Sequence, residues 1–567
     1  MYSEPSQDAG NPRARKMARK AAMWSERSSW DSHWREISQF QQPRLGRFFV
    51  TDRNQGGKRH QHILDNTALY ASRTLAAGMM SGMTSPARPW FKLGLEDRDL
   101  MEHGPVKVWL HEVGQLMQTI FAKSNTYRAL HSCYEELGLF GTWASFVMDD
   151  FDTVIHHYPM TVGEYALACD HRGVVNTLAR EFQMTVGQLV QQFGLENCSQ
   201  TVRNMHEKGL LDAWVSVVHM VEPRTKRDTG KADNKNMPFS SCYFETGKDN
   251  WDKYLGESGF ERFPALCPRW TVTGNDIYGQ SPGMDVLGDV KQLQQEQLRK
   301  GQAIDYKVNP PLVVPTKLKG AQQSRLPGGV FFHDSMTSAP GVRSAFEVNL
   351  DLSHLLQDIQ DVRNRIQQGY FSDLFLMLAN DTRSDVTATE VAERHEEKLL
   401  MLGPVLERQH NELLSPKIDM TFDRIAKAGL LTGRRQPPPE LEGMEIKVEF
   451  TSVLAQAMRA VSAGGVDRLL GTVSSLAAVR PEVLDKIDFD QVVDDYADMY
   501  GVNPSIIVPD KDVVAMREQR AKQQAAQAAA AAAPVMADTA KTASEIDPDG
   551  MRSVMQSLQG YGTAAPV

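Results

Sequence analysis

The amino-acid sequence predicts an α+β protein, predominantly helical, and three observations carry that expectation. The first half of the chain alternates helical and strand-like segments, and the pattern changes after residue 282 to long stretches with helical spacing of apolar residues. The 567 residues are 41% hydrophobic and 23% charged, ordinary globular composition with enough length for a large core or several subdomains. The change near 282 is sharp enough to mark a subdomain boundary.

In the first half, residues 12–42 read as a basic amphipathic helix carrying Trp24, Trp30, Trp34 and Phe40 and stopped by Pro43. Residues 62–83 read as an alanine- and methionine-rich packing helix ended by the Ser85-Pro86 and Arg88-Pro89 steps. From Trp143 to Gly173 the pattern is a strand meander, WASFVMDDF, TVIHHYPM and GEYALACD. A short helix at Thr185 to Phe193 precedes strands at Ala213 to Val221, Ser240 to Glu245 and Phe263 to Val272, with a charged hairpin around 224–236.

The second half opens with a helix from Pro282 to Ala303, with Ser281 as N-cap and Pro282 at the first helical position. At 1.5 Å per residue it is about 30 Å long. Its apolar positions (Met284, Leu287, Val290, Leu293, Leu298) leave a polar face with Asp289, Gln292, Gln295, Glu296, Arg299 and Lys300. Residues 304–349 are Pro- and Gly-rich with short strand-like pieces, LVVP and GGVFFH, the composition of a compact insert. A helix from Asp351 to Leu378 carries the stripe Leu352, Leu355, Leu356, Ile359, Val362, Ile366, Tyr370. A polar loop, Asn380 to Asp385, follows, and Thr387-Ala-Thr-Glu390 forms a capping box for a third long helix, expected to kink at Gly403-Pro404 and to end near Gly429. After Pro437-Pro438-Pro439 come a strand (MEIKVEF), helices at 454–477 and 489–500, and a Gln- and Ala-rich tail whose end reads as disordered.

The motifs of enzymes fail on chemistry. Gly279-Gln-Ser281-Pro-Gly283 has the G-x-S-x-G spacing, but Pro282 lacks the N–H that would donate to an oxyanion, so the segment reads as a capped helix start. His111-Glu112 lacks the second His of H-E-x-x-H, and His156 and His157, adjacent in a strand, point to opposite faces. No phosphate-binding glycine loop is present, so ATP hydrolysis is not expected. Five scattered cysteines suggest reduced, structural thiols, and neither cofactor nor metal is expected. No run reaches the ~18 apolar residues of a membrane span, and the polar, basic N-terminus lacks a signal peptide's apolar core, so a protein made in the cytosol is expected. The net charge of −9 argues against a protein that clings to nucleic acid while leaving room for one past which DNA slides.

Several segments, in one unbroken order over roughly residues 25–525, resemble the head-to-tail connector, or portal, family of short-tailed double-stranded DNA phages. They are RSSWDSHWREISQFQQPRLGRF, ILDNTALYASRTLAAGMMSGMTSPARPWFKL, GNDIYGQSPGMDVLGDVKQLQQEQLRK with VNPPLVVP, TATEVAERHEEKLLMLGPVLERQHNELLSPKIDMTFDRI, and PEVLDKIDFDQVVDDYADMYGVNPSII. The resemblance implies a portal-type fold in a ring of about twelve subunits, a closed head-to-tail assembly. It implies a wing from residues 1–281 together with 388–452, stem helices at 282–303 and 351–378, a clip at 304–350, a tunnel loop at 379–387, a crown at 453–525 and a tail at 526–567. The implied partners are the major capsid and scaffold proteins, the large terminase ATPase, tail adaptor proteins and double-stranded DNA passing without sequence specificity, at the head-to-tail junction of a virion. DNA-contact candidates are Arg383, Asn380 and Ser384 in the loop and Lys291, Arg299, Lys300 and Arg365 on the stem, set against the alternative that these cations pair with carboxylates. The rival readings are a non-viral helical adaptor or scaffold without a channel, a hydrolase of unrecognised type, and a tail-tube or head-completion protein.

Overall fold

A computed structural model describes residues 12–52, 56–101, 103–231, 233–247, 253–315, 326–333, 343–344, 353–380, 402–441, 444 and 446–452, with shorter pieces between 470 and 527. The chain forms two compact units: Met1–Glu96, Leu110–Pro437 and Gly443–Gly471 make the first, and Asp97–Trp109, Pro438–Glu442 and Thr472–Val567 the second. In the second, residues 513–527 are helical, and Arg517 donates to both carboxylate oxygens of Asp490 at 2.6 and 2.7 Å. Most of the helices expected at 454–477 and 489–500 lie outside the described residues.

The first unit opens with α1 (Pro12–Phe40) and α2 (Thr67–Met83), followed by β1 (Phe91–Gly94). Two helices not anticipated from the sequence come next, α3 (Gly104–Lys123) and α4 (Thr126–Phe140). The second ends at Gly141, whose φ of +74° takes the left-handed cap and whose missing Cβ leaves room for the Gly279 carbonyl. α2 starts five residues later than expected because the Asp65 carboxylate accepts the Thr67 N–H at 2.9 Å.

The expected three-strand meander is divided between two sheets. β2 (Ala144–Asp150) and β3 (Val154–Met160) pair as a hairpin, with β9 (Ala265–Leu266) on the other edge of β2. β4 (Tyr165–Cys169) leaves them for a five-stranded antiparallel sheet, ordered β4, β5 (Val175–Thr185), β6 (Trp214–Pro223), β7 (Phe239–Glu245) and β8 (Gly256–Phe260). Of the strand expected at 263–272 only β9 forms a ladder, flanked by single bridges at Arg269 and Thr271. α5 (Val186–Phe193), capped by Thr185, and α6 (Gln200–Glu207) follow β5.

α1 lies on the five-stranded sheet. Its Met23, with Met17 and Trp24, packs on Ala166, Ala168, Ala179, Val218, Met220 and Phe244. The basic residues of this helix find specific partners on the strands: Arg13 donates to the Glu245 carbonyl, Lys16 pairs with Glu222, and Lys20 reaches Glu181 at 2.6 Å. Trp34, fully buried, donates to the Phe140 carbonyl at 3.1 Å and stands edge-on to Tyr278.

The later elements are α7 (Leu287–Val308), preceded by a turn of helix at Pro282–Asp285, then α8 (Ser353–Gly369), α9 (Ser372–Asn380) and α10 (Ser415–Lys427). Ser281 caps the Pro282 turn by accepting from the Met284 N–H, as its sequence position predicts. α7 runs to Val308 rather than Ala303. Between them, β10 (Leu312–Pro315) pairs parallel with β11 (Val330–His333) and antiparallel with β12 (Arg343–Ser344), so both strand-like pieces of the insert are strands.

The helix expected over 351–378 is two helices. Phe371, at φ +54°, breaks it just after the fully buried Tyr370. The Tyr370 hydroxyl bonds Gln41 Oε1 while Gln41 Nε2 donates to the Gly283 carbonyl at 2.8 Å, so the ends of α1 and α8 and the start of the Pro282 turn meet at one point. In the third long helix, helical over 402–409, the described irregularity is not at Gly403-Pro404 but a π turn, His410–Leu414. Pro416 explains it: a proline there cannot donate to the Glu412 carbonyl, and the wider turn relieves the clash. The strand expected at 444–450 is shorter, β13 (Lys447–Phe450), and pairs with β1.

Candidate functional site

The α7/α8 pair is the element to which the sequence assigns function, and an apolar seam holds it together. Val290 and Leu293 of α7 and Ile359, Val362 and Ile366 of α8 are each at most 2% exposed. At ~2 kcal/mol per buried aliphatic side chain the seam contributes on the order of 10 kcal/mol before entropy is charged, which outweighs the ion pairs around it.

A polar clamp fixes the pair to the turn before α2. Gln294 Oε1 accepts the N–H groups of Leu64 and Asp65 at 2.6 and 2.9 Å, and Gln294 Nε2 donates to the Asp65 carbonyl at 2.9 Å. The buried Asp65 carboxylate receives Gln297 Nε2 at 3.0 Å from α7 and Arg363 Nη2 at 2.7 Å from α8. Burial by itself would raise the Asp65 pKa; the Thr67 hydroxyl and the Arg363 guanidinium outweigh it and hold the carboxyl below its ordinary value. Higher on the pair, burial and the neighbouring Asp358 carboxyl push Glu296 up. The polar side of these helices therefore mixes carboxylates and cations.

The seven candidate residues fare differently. Arg383 and Ser384 lie outside the described residues, as does the capping box Thr387–Glu390. Asn380 is the last residue of α9 rather than the first of a loop. Lys291 pairs with Glu36 at 2.6 Å and sits 5.6 Å from the Phe40 ring, and Arg365 pairs with Asp289 at 3.1 Å and Asp361 at 3.5 Å. All three pairs form within one chain, so these two cations are already compensated. Arg299 and Lys300, on the distal half of α7, have no ion pair among the described residues. They sit with Leu298, Ile304 and Val308, exposed to 51%, 40% and 78%, and Leu356 of α8 is exposed to 48%. The two helices thus end in a surface that is both apolar and charged.

Sequence reading missed the clamp. Only the Asp65-Asn66-Thr67 step, a helix start signal, hinted at it; Gln294, Gln297 and Arg363 have no local signature. It also missed Arg269, which donates to Glu412 at 2.7 Å and to the Gly173 carbonyl at 2.9 Å and so ties the π turn to the sheets. Among the described residues no cluster of His, Cys, Asp and Glu is placed to hold a metal ion, and no helix is long and apolar enough to cross a membrane. The cysteines are free thiols, and burial pushes Cys133, Cys169, Cys198, Cys242 and Cys267 up.

A family model described as bacteriophage head to tail connecting protein matches residues 13–508. The chain is 55% identical over 548 residues to a probable portal protein of Bordetella phage BPP-1, covering 96% of this chain and 98% of that one. It is 46% identical over 550 residues to a portal protein of Salmonella phage epsilon15, again covering 96% and 98%. It also resembles a chain in the neck of an empty GTA particle at 10% identity and a TM-score of 0.34, covering 76% of this chain and 92% of that one, a likeness too loose to define the fold.

Proposed function

The chain belongs to the bacteriophage head-to-tail connecting protein family, and from that premise we propose that it is the portal subunit of a short-tailed double-stranded DNA phage. About twelve copies close into a ring at one capsid vertex, head-to-tail contacts closing by rotation. DNA passes through the bore during packaging and ejection. The protein is a structural connector, not an enzyme; ATP hydrolysis comes from the terminase that docks on it, later replaced by tail adaptor proteins, while capsid and scaffold proteins surround it.

Within this reading α7 and α8 form the stem (282–303 and 351–378), the three short strands belong to the clip (304–350), 379–387 is the tunnel loop, 1–281 with 388–452 the wing, 453–525 the crown and 526–567 a tail. One observation supports it most: Leu298, Ile304, Val308 and Leu356 stand exposed on a single chain, beside cations with no ion pair among the described residues, at the distal end of an otherwise well-packed helix pair. Neighbouring copies in a ring cover such a surface. The chain's net charge of −9 lets DNA slide past, whereas a basic bore would bind phosphate and stall it.

Negative-stain electron microscopy of the purified protein, with native mass to count subunits, tests this. Rings with a central hole support the portal reading; monomers or irregular small oligomers at micromolar concentration would favour a channel-free adaptor. Arg383→Ala should leave rings intact and reduce packaged DNA, and unchanged packaging removes that residue from the bore.

A further inference from the structure

Two cavities in the first unit, of about 510 and 400 Å³, share a wall made of Arg180 and Phe182 on β5. The Arg180 guanidinium lies 4.0 Å from the Phe182 ring and has no hydrogen bond or ion pair among the described residues. The other charges in the two linings are accounted for. Arg47 pairs with Glu164, Glu181 with Lys20, Asp149 with Arg424 and Asp52 with Arg59, and Arg44 is engaged as well. Glu136, fully buried, is pushed up to about 8 by that burial and is neutral at pH 7. Arg180 thus keeps N–H donors without an acceptor among the described residues, the charge of Glu164, itself bonded to Arg47, acting on it across a space whose rim carries exposed aromatic rings, Phe49 at 65% and Trp214 at 45%. Such a site fits a carboxylate carried beside an aromatic ring.

The same chain presents that pair of groups elsewhere. At the tip of the β2–β3 hairpin Phe151 is fully exposed, between Asp150 and Asp152. Asp150 is occupied in shaping the turn, accepting the Thr153 N–H at 2.8 Å and its hydroxyl at 2.6 Å, which leaves Asp152 as the outward carboxylate. The larger cavity reaches Pro159, Met160 and Thr161 at the end of β3 away from the tip, and the smaller reaches Met148 and Asp149 close to it, so the Arg180 space runs along the flank of the hairpin. A chain therefore carries an exposed plug at the hairpin tip and a socket along the hairpin's flank, two different surfaces as a head-to-tail contact needs.

We propose that the hairpin tip of one copy docks into the Arg180 cavity of the next, Phe151 seating among Phe49, Phe182 and Trp214 and Asp152 closing on the Arg180 guanidinium. This contact rests on the ring reading above and names one of the surfaces that closes the ring. The test uses the full chain with a photo-reactive phenylalanine analogue at position 151, irradiated after mixing isotopically heavy and light protein. The expected result is heavy-to-light cross-links from 151 to peptides holding residues 180–183 or 214. In parallel, Phe151→Ala and Asp152→Arg should each cut the ring fraction at least tenfold at fixed subunit concentration. Asp152→Arg combined with Arg180→Asp should recover it. Rings whose cross-links map elsewhere, or rings unaffected by Phe151→Ala and Asp152→Arg, overturn the docking and leave the portal reading standing. Wild-type protein that stays monomeric sinks both. Benzoate binding that depends on Arg180 and leaves ring formation unchanged would overturn the docking by giving the cavity to a small anion.

Discussion

One carboxylate oxygen of Asp65, Oδ2, takes both Nε and Nη2 of Arg363, at 3.1 and 2.7 Å, across 298 positions of sequence. The acceptor is buried and the donor half-exposed, so the pair is anchored at one end and wet at the other.

Asp65→Ala removes the acceptor for Arg363, Gln297 and Thr67 together. It should cost about 2 kcal/mol, less than a fully buried pair because Arg363 reaches solvent. The sign of the pH dependence follows from the depressed pKa of Asp65. Its contribution is present above the unfolded value of about 4 and is lost as pH falls through the lower folded value. Denaturant melts of wild type and Asp65→Asn should therefore differ by a constant amount above about pH 5 and converge in stronger acid. Curves that stay parallel down to about pH 2 would rule out an ionised Asp65.

Lys417 points the other way. It is fully buried, and its Nζ has no hydrogen-bond partner among the described residues and lies 5.1 Å from the Phe121 ring centroid. Burial pushes its pKa down to about 7. Because the folded value lies below the unfolded one, the chain bears no cost above about pH 10; the cost grows as pH falls and is complete below about 7. Lys417→Met should stabilise the protein by roughly 3 kcal/mol near pH 6, with the gain shrinking toward zero near pH 10. A destabilised variant at pH 6 would show that the amine has a partner in the assembled ring.

Gly78 in α2 admits no side chain. A Cβ there would stand 2.1 Å from Phe375 Cγ and 2.6 Å from its Cβ, atoms too near the α9 backbone to swing aside. Gly78→Ala should cost about 1–3 kcal/mol by forcing the helices apart, and its cost should be smaller when measured in a Phe375→Ala background, which removes the ring and Cγ and leaves only Cβ. Thermal unfolding of the single and double variants gives the comparison.

The stem cations separate into two classes by experiment. Arg299→Ala with Lys300→Ala should leave thermal stability within about 0.5 kcal/mol, since neither side chain has an ion pair among the described residues, and should lower the DNA packaged per head. Arg365→Ala should lose less than about 1 kcal/mol, its partners being solvent-accessible, and leave packaging unchanged. If Arg365→Ala is the variant that reduces packaging, the assignment of the two classes is reversed.

Elements with a local physical cause were legible in the sequence. The stripe Ile359, Val362, Ile366 marked α8 because buried residues of a helix recur at its period, and Ser281-Pro282 marked a helix start because the cap is made by residues three apart. The two strands of the insert were readable from the Pro and Gly bounding them. α3 and α4 went unread, and so did the break at Phe371, since nothing in the residues around it forbids a helix. The π turn went unread because Pro404 and Pro416 are equally disruptive by type; the helix leading into the kink expected at Gly403-Pro404 lies outside the described residues.

The sequence by itself determined the class of fold, the family, and which faces of the long helices are apolar, since all three depend on residue type and near-neighbour spacing. Tertiary structure alone decided which strands share a sheet, which two of the four stem cations are already neutralised, and that Asp65, Gln41 and Arg269 are the joints of the first unit. Those outcomes depend on partners far apart in the chain. Arg365 and Arg299 are the same residue type on similar helices; Asp361 one turn away and Asp289 across the helix pair make the first a paired charge, while the second is exposed without an ion pair among the described residues.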